Sequence, residues 1–420
     1  MAQVIQPENL DLSALVRPGD TVVWGQGPGE ALTLTETLVG QRKSIRRFKA
    51  FFGIGLSGTL EPAHADCIEM SSYAGIGANR RLSKAGCLDI LPWHYSELPD
   101  LITSDVVFLH LSPTNADGLY SLGVVHDYLS TAMGKARVVI AEVNDRMPWT
   151  FDGGVMADAP MDFIVPTSRP LIELADEEPD DATERIAGHV ADLVPDGAVV
   201  QIGIGTLPGA ILRALRHHRR LGIHSGLAGD GVVDLMECGA VTNETKSVDR
   251  GISVIGLAFG TQRLYDFVAA NSAVVFRPPS ITHSAKIIAE FDTFVSINAA
   301  IEVDLTGQVN AEVAGGAYVG AVGGQVDFVR AVRRSPNGRS VIALRATAAD
   351  GKTSRIVTAT DSATVTTGRS DADIVVTEHG VAHLRGRSLA ERARQLIAIT
   401  EPKFREQLAR QARDIAGIGQ

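Results

Sequence analysis

A chain of 420 residues is longer than one ordinary hydrophobic core supports, so two domains or lobes are expected. Apolar residues are 45% and charged residues 21% of the chain, the balance of a soluble globular protein, and no apolar run is long enough to span a bilayer. A net charge of −10 argues against a nucleic-acid partner, because phosphate binding needs clustered Lys and Arg, and the densest basic stretch, residues 213–220, reads as a solvated helix face.

The first predicted unit is GDTVVWGQGPGEALTLTETL, residues 19–38: a turn, an apolar strand, a Gly-x-Gly loop, then a helix from residue 33. Residues 105–111 (DVVFLHL) and 136–143 (ARVVIAEV) read as buried strands. The acidic, Pro-bearing stretch DEEPDDAT, residues 176–183, reads as a linker, which divides the chain into lobes 1–175 and 184–420. A helix is predicted over 182–193, a strand over 198–202 and a helix over 209–216. Further strands are predicted at 252–257 and 294–297. Alternation of short apolar runs with helical patterns predicts an α/β fold with largely parallel sheets.

DGAVVQIGIGTLPGAILRAL, residues 196–215, repeats the first unit. Gly25 and Gly27 fall on Gly203 and Gly205 at one offset. Asp105 opens a strand in the first half as Asp292 does in the second. A duplicated α/β lobe explains the echo, and chance likeness of two strand–glycine–helix units is the competing reading.

Three cysteines, Cys67, Cys87 and Cys238, form no C-x-x-C pair, so neither a disulfide framework nor a zinc site is expected. His379 and His383 stand four apart without an H-E-x-x-H context, and no metal is expected there. The N-terminus lacks a basic start followed by an apolar run. Together these predict a cytoplasmic protein.

The 203–209 loop, Gly-Ile-Gly-Thr-Leu-Pro-Gly, lies between strand and helix. Its free N–H groups suit a phosphate, a carboxylate or a developing oxyanion. A tight turn alone is equally open, and a dinucleotide fingerprint wants its third Gly one residue earlier. Residues 315–330, GGAYVGAVGGQVDFVR, are the better binding candidate, with a glycine-lined hairpin as the alternative.

Ordered stretches carry a more specific signal: SPTNADGLYSLG (112–123), VIAEVNDRMPWT (139–150), QIGIGTLPGAIL (201–212), HSGLAGDGVVDLMECGAVTN (224–243), INAAIEVDLTGQVNAE (297–312), GAVGGQVDF (320–328) and VVTEHGVAHLRGRSLAERARQLI (375–397). Together they resemble the acetyl-CoA hydrolase/transferase family, including butyrate and 4-hydroxybutyrate CoA-transferases. The resemblance implies two similar α/β lobes facing a cleft. It implies an acyl-CoA thioester as substrate, a small acceptor, and no tightly bound cofactor. It also implies a glutamate that attacks the thioester and passes through a glutamyl-CoA intermediate. Matched to the family, Gly203, Gly205, Gly320, Gly323, Gly324 and Asp327 lie where backbone N–H groups meet CoA ester and oxyanion. A homo-oligomer is expected on symmetry statistics alone.

The chain departs from that pattern where it matters most. The family's glutamate stands two residues after a His, and here the run is His224-Ser225-Gly226. Where the family has Thr-Asn-Asp-Pro, this chain reads Thr282-His283-Ser284-Ala285. Gly226 is expected to leave room for water or a second substrate. His283 is a candidate general base, with a hydrogen-bonding His as the alternative. His224 reads as structural. Glu30, beside the first Gly loop, is a candidate substitute carboxylate or merely a charge at a helix N-terminus. Glu237 and Glu244 read as helix and turn residues. Three functions compete: an acyl-CoA enzyme without a glutamyl intermediate (hydrolysis, acyl transfer or hydrolytic C–C cleavage), a CoA-transferase using another carboxylate, and a non-catalytic CoA-ester binder. A dinucleotide dehydrogenase is the remote fourth.

Overall fold

A computed structural model describes residues 2–152 and 161–418. Two compact units divide the chain. The first comprises Met1–Leu174, Val254–Thr282 and Tyr318–Gly323, and the second Ala175–Ser253, His283–Ala317 and Gly324–Gln420.

The first unit is built on a parallel sheet. Its strands run, in spatial order, Gln3–Val4, Phe163–Thr167, Val138–Asn144, Val106–Leu111, Thr21–Trp24, Phe48–Phe51, Ile68–Ser72 and Leu88–Ile90. All six residues of Val106–Leu111 are buried, as a parallel strand covered on both faces requires. Helix Leu32–Ile45 buries Leu34, Leu38 and Ile45 against Val22, Phe48 and Phe108. Burying one such Leu contributes about 2 kcal/mol.

The second unit holds strands Gly222–Ala228, Val199–Ile202, Phe294–Ala299, Arg339–Ala343 and Ile374–Thr377 in that order, all parallel, with Gly380–His383 antiparallel at the edge. Helix Asp181–Ala191 starts at Asp180, whose side chain accepts from the Thr183 N–H. It buries Thr183, Ile186, Ala187 and Val190 at the spacing of one helical face.

The echo in the sequence is an echo in topology. Strands 138–144, 106–111, 21–24 and 48–51 are neighbours in that order. So are 339–343, 294–299, 199–202 and 222–228. Each Gly-x-Gly loop therefore follows the same strand of its sheet. The two aspartates differ in role. Asp105 accepts from the Thr21 N–H at 2.8 Å and so ties its strand to the neighbour, whereas Asp292 accepts from the Asn337 amide at 3.2 Å. One helix boundary moves: the helix expected from residue 209 begins at Thr206, with Pro208 in its first turn, where a missing N–H leaves nothing unpaired.

Candidate active site

Strand Gly222–Ala228 carries His224, Ser225 and Gly226, all buried. His283 follows in sequence the helix Pro279–Thr282 and precedes Ser284, whose hydroxyl accepts from Ile287 N–H and starts the next helical turn. The two departures from the family pattern, 57 positions apart, meet here. A Cβ placed on Gly226 would lie 2.6 Å from Cε1 and 2.9 Å from Nε2 of His283. A Cβ on Gly324 would run into the same Nε2. The imidazole is thus seated between two bare Cα atoms. The room expected beside Gly226 is not left for water, because His283 fills it.

The surroundings are aromatic. The His283 ring lies 4.5 Å from that of Phe328, and His224 lies 5.2 Å from Phe291. Phe291 and Phe294 stack at 5.8 Å, and Ile288 and Val332 close the same cluster. His283 is 7% exposed. Burial first, then the neighbouring His224, lowers its pKa to about 3, so the ring is neutral at physiological pH.

Stability follows from that shift. The folded pKa lies below the unfolded value of 6.5, so the contribution of this group is complete above pH 6.5 and is lost as pH falls toward 3. Between pH 7 and pH 5 the His283→Asn chain is expected to lose about 2 kcal/mol less stability than the native chain, read from urea unfolding at both pH values. Equal losses would contradict the buried neutral imidazole.

The Gly203–Gly205 loop joins strand Val199–Ile202 to helix Thr206–Ala214. Gly205 stands at φ +101°, a conformation open to Gly, and starts helix Thr206–Ala214. The Asp176 carboxylate lies against Gly209, near the start of that helix. Burial first, then Asp230, raises the Asp176 pKa.

In the first unit a carboxylate is bonded at a helix start. Buried Glu142 accepts from the N–H of Thr33 at 2.8 Å, from the Thr33 hydroxyl at 2.9 Å and from Thr167 at 3.1 Å, at the start of helix Leu32–Ile45. Glu30 is not the residue at that helix end. Its two oxygens accept from Thr35 at 2.8 Å and Ser57 at 2.7 Å. Burial raises its pKa, against the lowering effect of those hydroxyls.

The segment 315–330 turns out to be two things. Gly315 and Gly316, both at positive φ, turn the chain between short strands Val313–Ala314 and Ala317–Tyr318, which is the hairpin alternative. Beyond it, Gly320 and Gly323 belong to the first unit, where their carbonyls accept from Gly75 and Tyr95 N–H groups at 2.8 and 3.0 Å. Gly324 precedes helix Gln325–Ala331 in the second unit, with Asp327 in its first turn.

Sequence reading missed a buried network in the first unit. The Gln26 amide donates to the Tyr95 hydroxyl at 2.8 Å and accepts from Tyr73 at 2.6 Å. Asp127 lies 3.4 Å from the same amide, and burial raises its pKa to about 7. Nothing in the local spacing links Gln26, Tyr73, Tyr95 and Asp127. Elsewhere, His379 pairs with Glu401 at 3.0 Å and has Glu378 close by, while the His383 N–H is held by Gln395.

Residues 3–173 match the acetyl-CoA hydrolase/transferase N-terminal domain, and residues 260–412 match the C-terminal domain of the same name. The 4-hydroxybutyrate coenzyme A transferase of Clostridium kluyveri is 40% identical over 396 residues, 92% of each chain. An acetyl-CoA hydrolase of Neurospora crassa is 25% identical, over 74% of this chain and 65% of its own. RipA from Yersinia pestis superposes with a TM-score of 0.92 at 33% identity, covering 98% of this chain and 97% of that one. No helix among the described residues is long and apolar enough to cross a membrane. On these matches the chain belongs to the acetyl-CoA hydrolase/transferase family.

Proposed function

We propose that this protein processes an acyl-CoA thioester without a glutamyl-CoA intermediate, with water or another small nucleophile as direct acceptor. The observation that carries this is the seat of His283 between Gly226 and Gly324. The position at which the family resemblance expects a nucleophilic carboxylate has no side chain, and an uncharged imidazole takes the adjoining space. Hydrolysis is the simplest form of the reaction. Water adds to the thioester carbonyl, the C–S bond breaks, and the thiolate leaves as CoA with a proton from solvent or the imidazole. Burial keeps the His283 lone pair unprotonated at working pH, which lets the ring orient the nucleophile and accept a proton as charge develops. Nucleophile loss leaves positioning and oxyanion stabilisation, which contribute separately.

Glu30 is a poor substitute nucleophile. A buried carboxyl with raised pKa and both oxygens engaged by hydroxyls attacks weakly. The test is turnover of a panel of short, branched and dicarboxylic acyl-CoAs, with and without acetate. Free CoA forming at a rate independent of acetate is expected. Acetyl-CoA as the main product would mean that carboxylate-dependent CoA transfer survives.

A further inference from the structure

Three side chains that the proposed reaction does not use meet in the second unit. Strands Ile374–Thr377 and Gly380–His383 form a hairpin in which Thr377 pairs with Gly380, so Glu378 and His379 are its two turn residues. Glu401 stands immediately before helix Pro402–Gln411. The turn is fastened to the chain leading into that helix. The Thr377 hydroxyl donates to the Ile399 carbonyl at 2.6 Å and accepts from the His379 N–H at 3.1 Å.

Within that frame, one ligating atom from each of Glu378, His379 and Glu401 lies within 4.8 Å of the other two. An ion at their centre lies no more than about 2.8 Å from each, so bonds of about 2.0–2.2 Å need side-chain shifts of less than about 1 Å. Glu378 is buried, and its Oε2 accepts from the Ala346 N–H at 2.8 Å. Its Oε1 has no hydrogen bond among the described residues and faces His379 Nε2 at 4.0 Å, too far for one. A buried carboxylate oxygen without a donor is costly unless a cation meets it. The His379 bond to Glu401 at 3.0 Å meets only the other carboxylate. His383 is outside the set: it lies on the second strand, and Gln395 takes its N–H.

We propose that Glu378, His379 and Glu401 bind one divalent transition-metal ion, with zinc the best fit. Imidazole together with carboxylates suits zinc, whereas calcium and magnesium take oxygen ligands. On binding, the His379 ring proton sits on Nδ1, and Nε2 turns its lone pair to the ion. The ion clips the hairpin turn to the start of helix Pro402–Gln411, and the site stands apart from the acyl-CoA reading.

The experiment is calorimetric titration of the chelator-treated full chain with zinc chloride. It is run beside His379→Gln, Glu401→Gln and a control, His217→Gln/His218→Gln, which removes an adjacent histidine pair outside the trio. The native chain and the control are expected to bind one zinc with equal affinity, and each trio variant at least about tenfold more weakly. Cobalt(II) in place of zinc is expected to give the native chain a visible d–d band that His379→Gln loses, a readout that needs no turnover. Urea unfolding shows which variants fold, and Glu401→Gln, which leaves the hairpin intact, carries the test if His379→Gln does not. Zinc bound as tightly by the folded trio variants as by the native chain would overturn the site. So would zinc lost with the His217/His218 pair, or no stoichiometric binding by the native chain.

Discussion

Gly226→Ala is expected to lower stability by about 2 kcal/mol, and adding His283→Ala in the same chain is expected to return most of that loss. Gly226 lies in a buried strand with no positive φ, so alanine brings no backbone strain there. The penalty is one contact: the new methyl lies 2.6 Å from the His283 ring, and a packed core gives way only by moving the ring or the strand. His283→Ala alone leaves a void beside Phe328 and costs about 1–3 kcal/mol. The double variant places the Gly226 methyl in that void. Urea unfolding of all four chains gives the coupling, expected at about 1–2 kcal/mol. Additive losses would mean that the imidazole does not rest on Gly226.

His283→Ala is also expected to reduce acyl-CoA turnover about 100-fold, with KM little changed, because a positioned proton-transfer group acts mainly in the transition state. His283→Asn keeps an amide donor of similar reach and is expected to fall between. The pH profile separates this role from an ordinary titrating histidine. With a pKa near 3, His283 gives no loss of kcat/KM as pH falls from 7.5 to 5. A limb near pH 7 that persists in the His283 variants belongs to another group, and Asp127 has the matching pKa. A limb near 6.5 that disappears in His283→Asn would contradict a neutral buried imidazole.

Much of the fold was legible because its signals are local. Apolar runs such as VVFLHL fold as covered strands, and the strands found differ from the expected ones by a residue or two at their ends. The echo of Gly25 and Gly27 in Gly203 and Gly205 reflects equivalent positions in two sheets. The two departures, Gly226 and His283, were legible as residues. Their contact was not, since it depends on how a strand and a distant loop pack. Glycine spacing shows that backbone N–H groups are presented, but not which acceptor takes them. Glu142 takes that place at the first helix start, from a strand 109 residues away. The Gln26–Tyr73–Tyr95 network is equally non-local, its bonds joining residues 47 and 69 positions apart.

The most direct test of the central claim is the mass of the intact protein during turnover. The chain would be quenched while it releases free CoA from its best acyl-CoA, with and without borohydride, and compared with untreated protein. No CoA-sized adduct and no reduced glutamyl residue are predicted, while free CoA accumulates. A chain carrying CoA in thioester linkage to Glu30 or any other carboxylate would contradict the account.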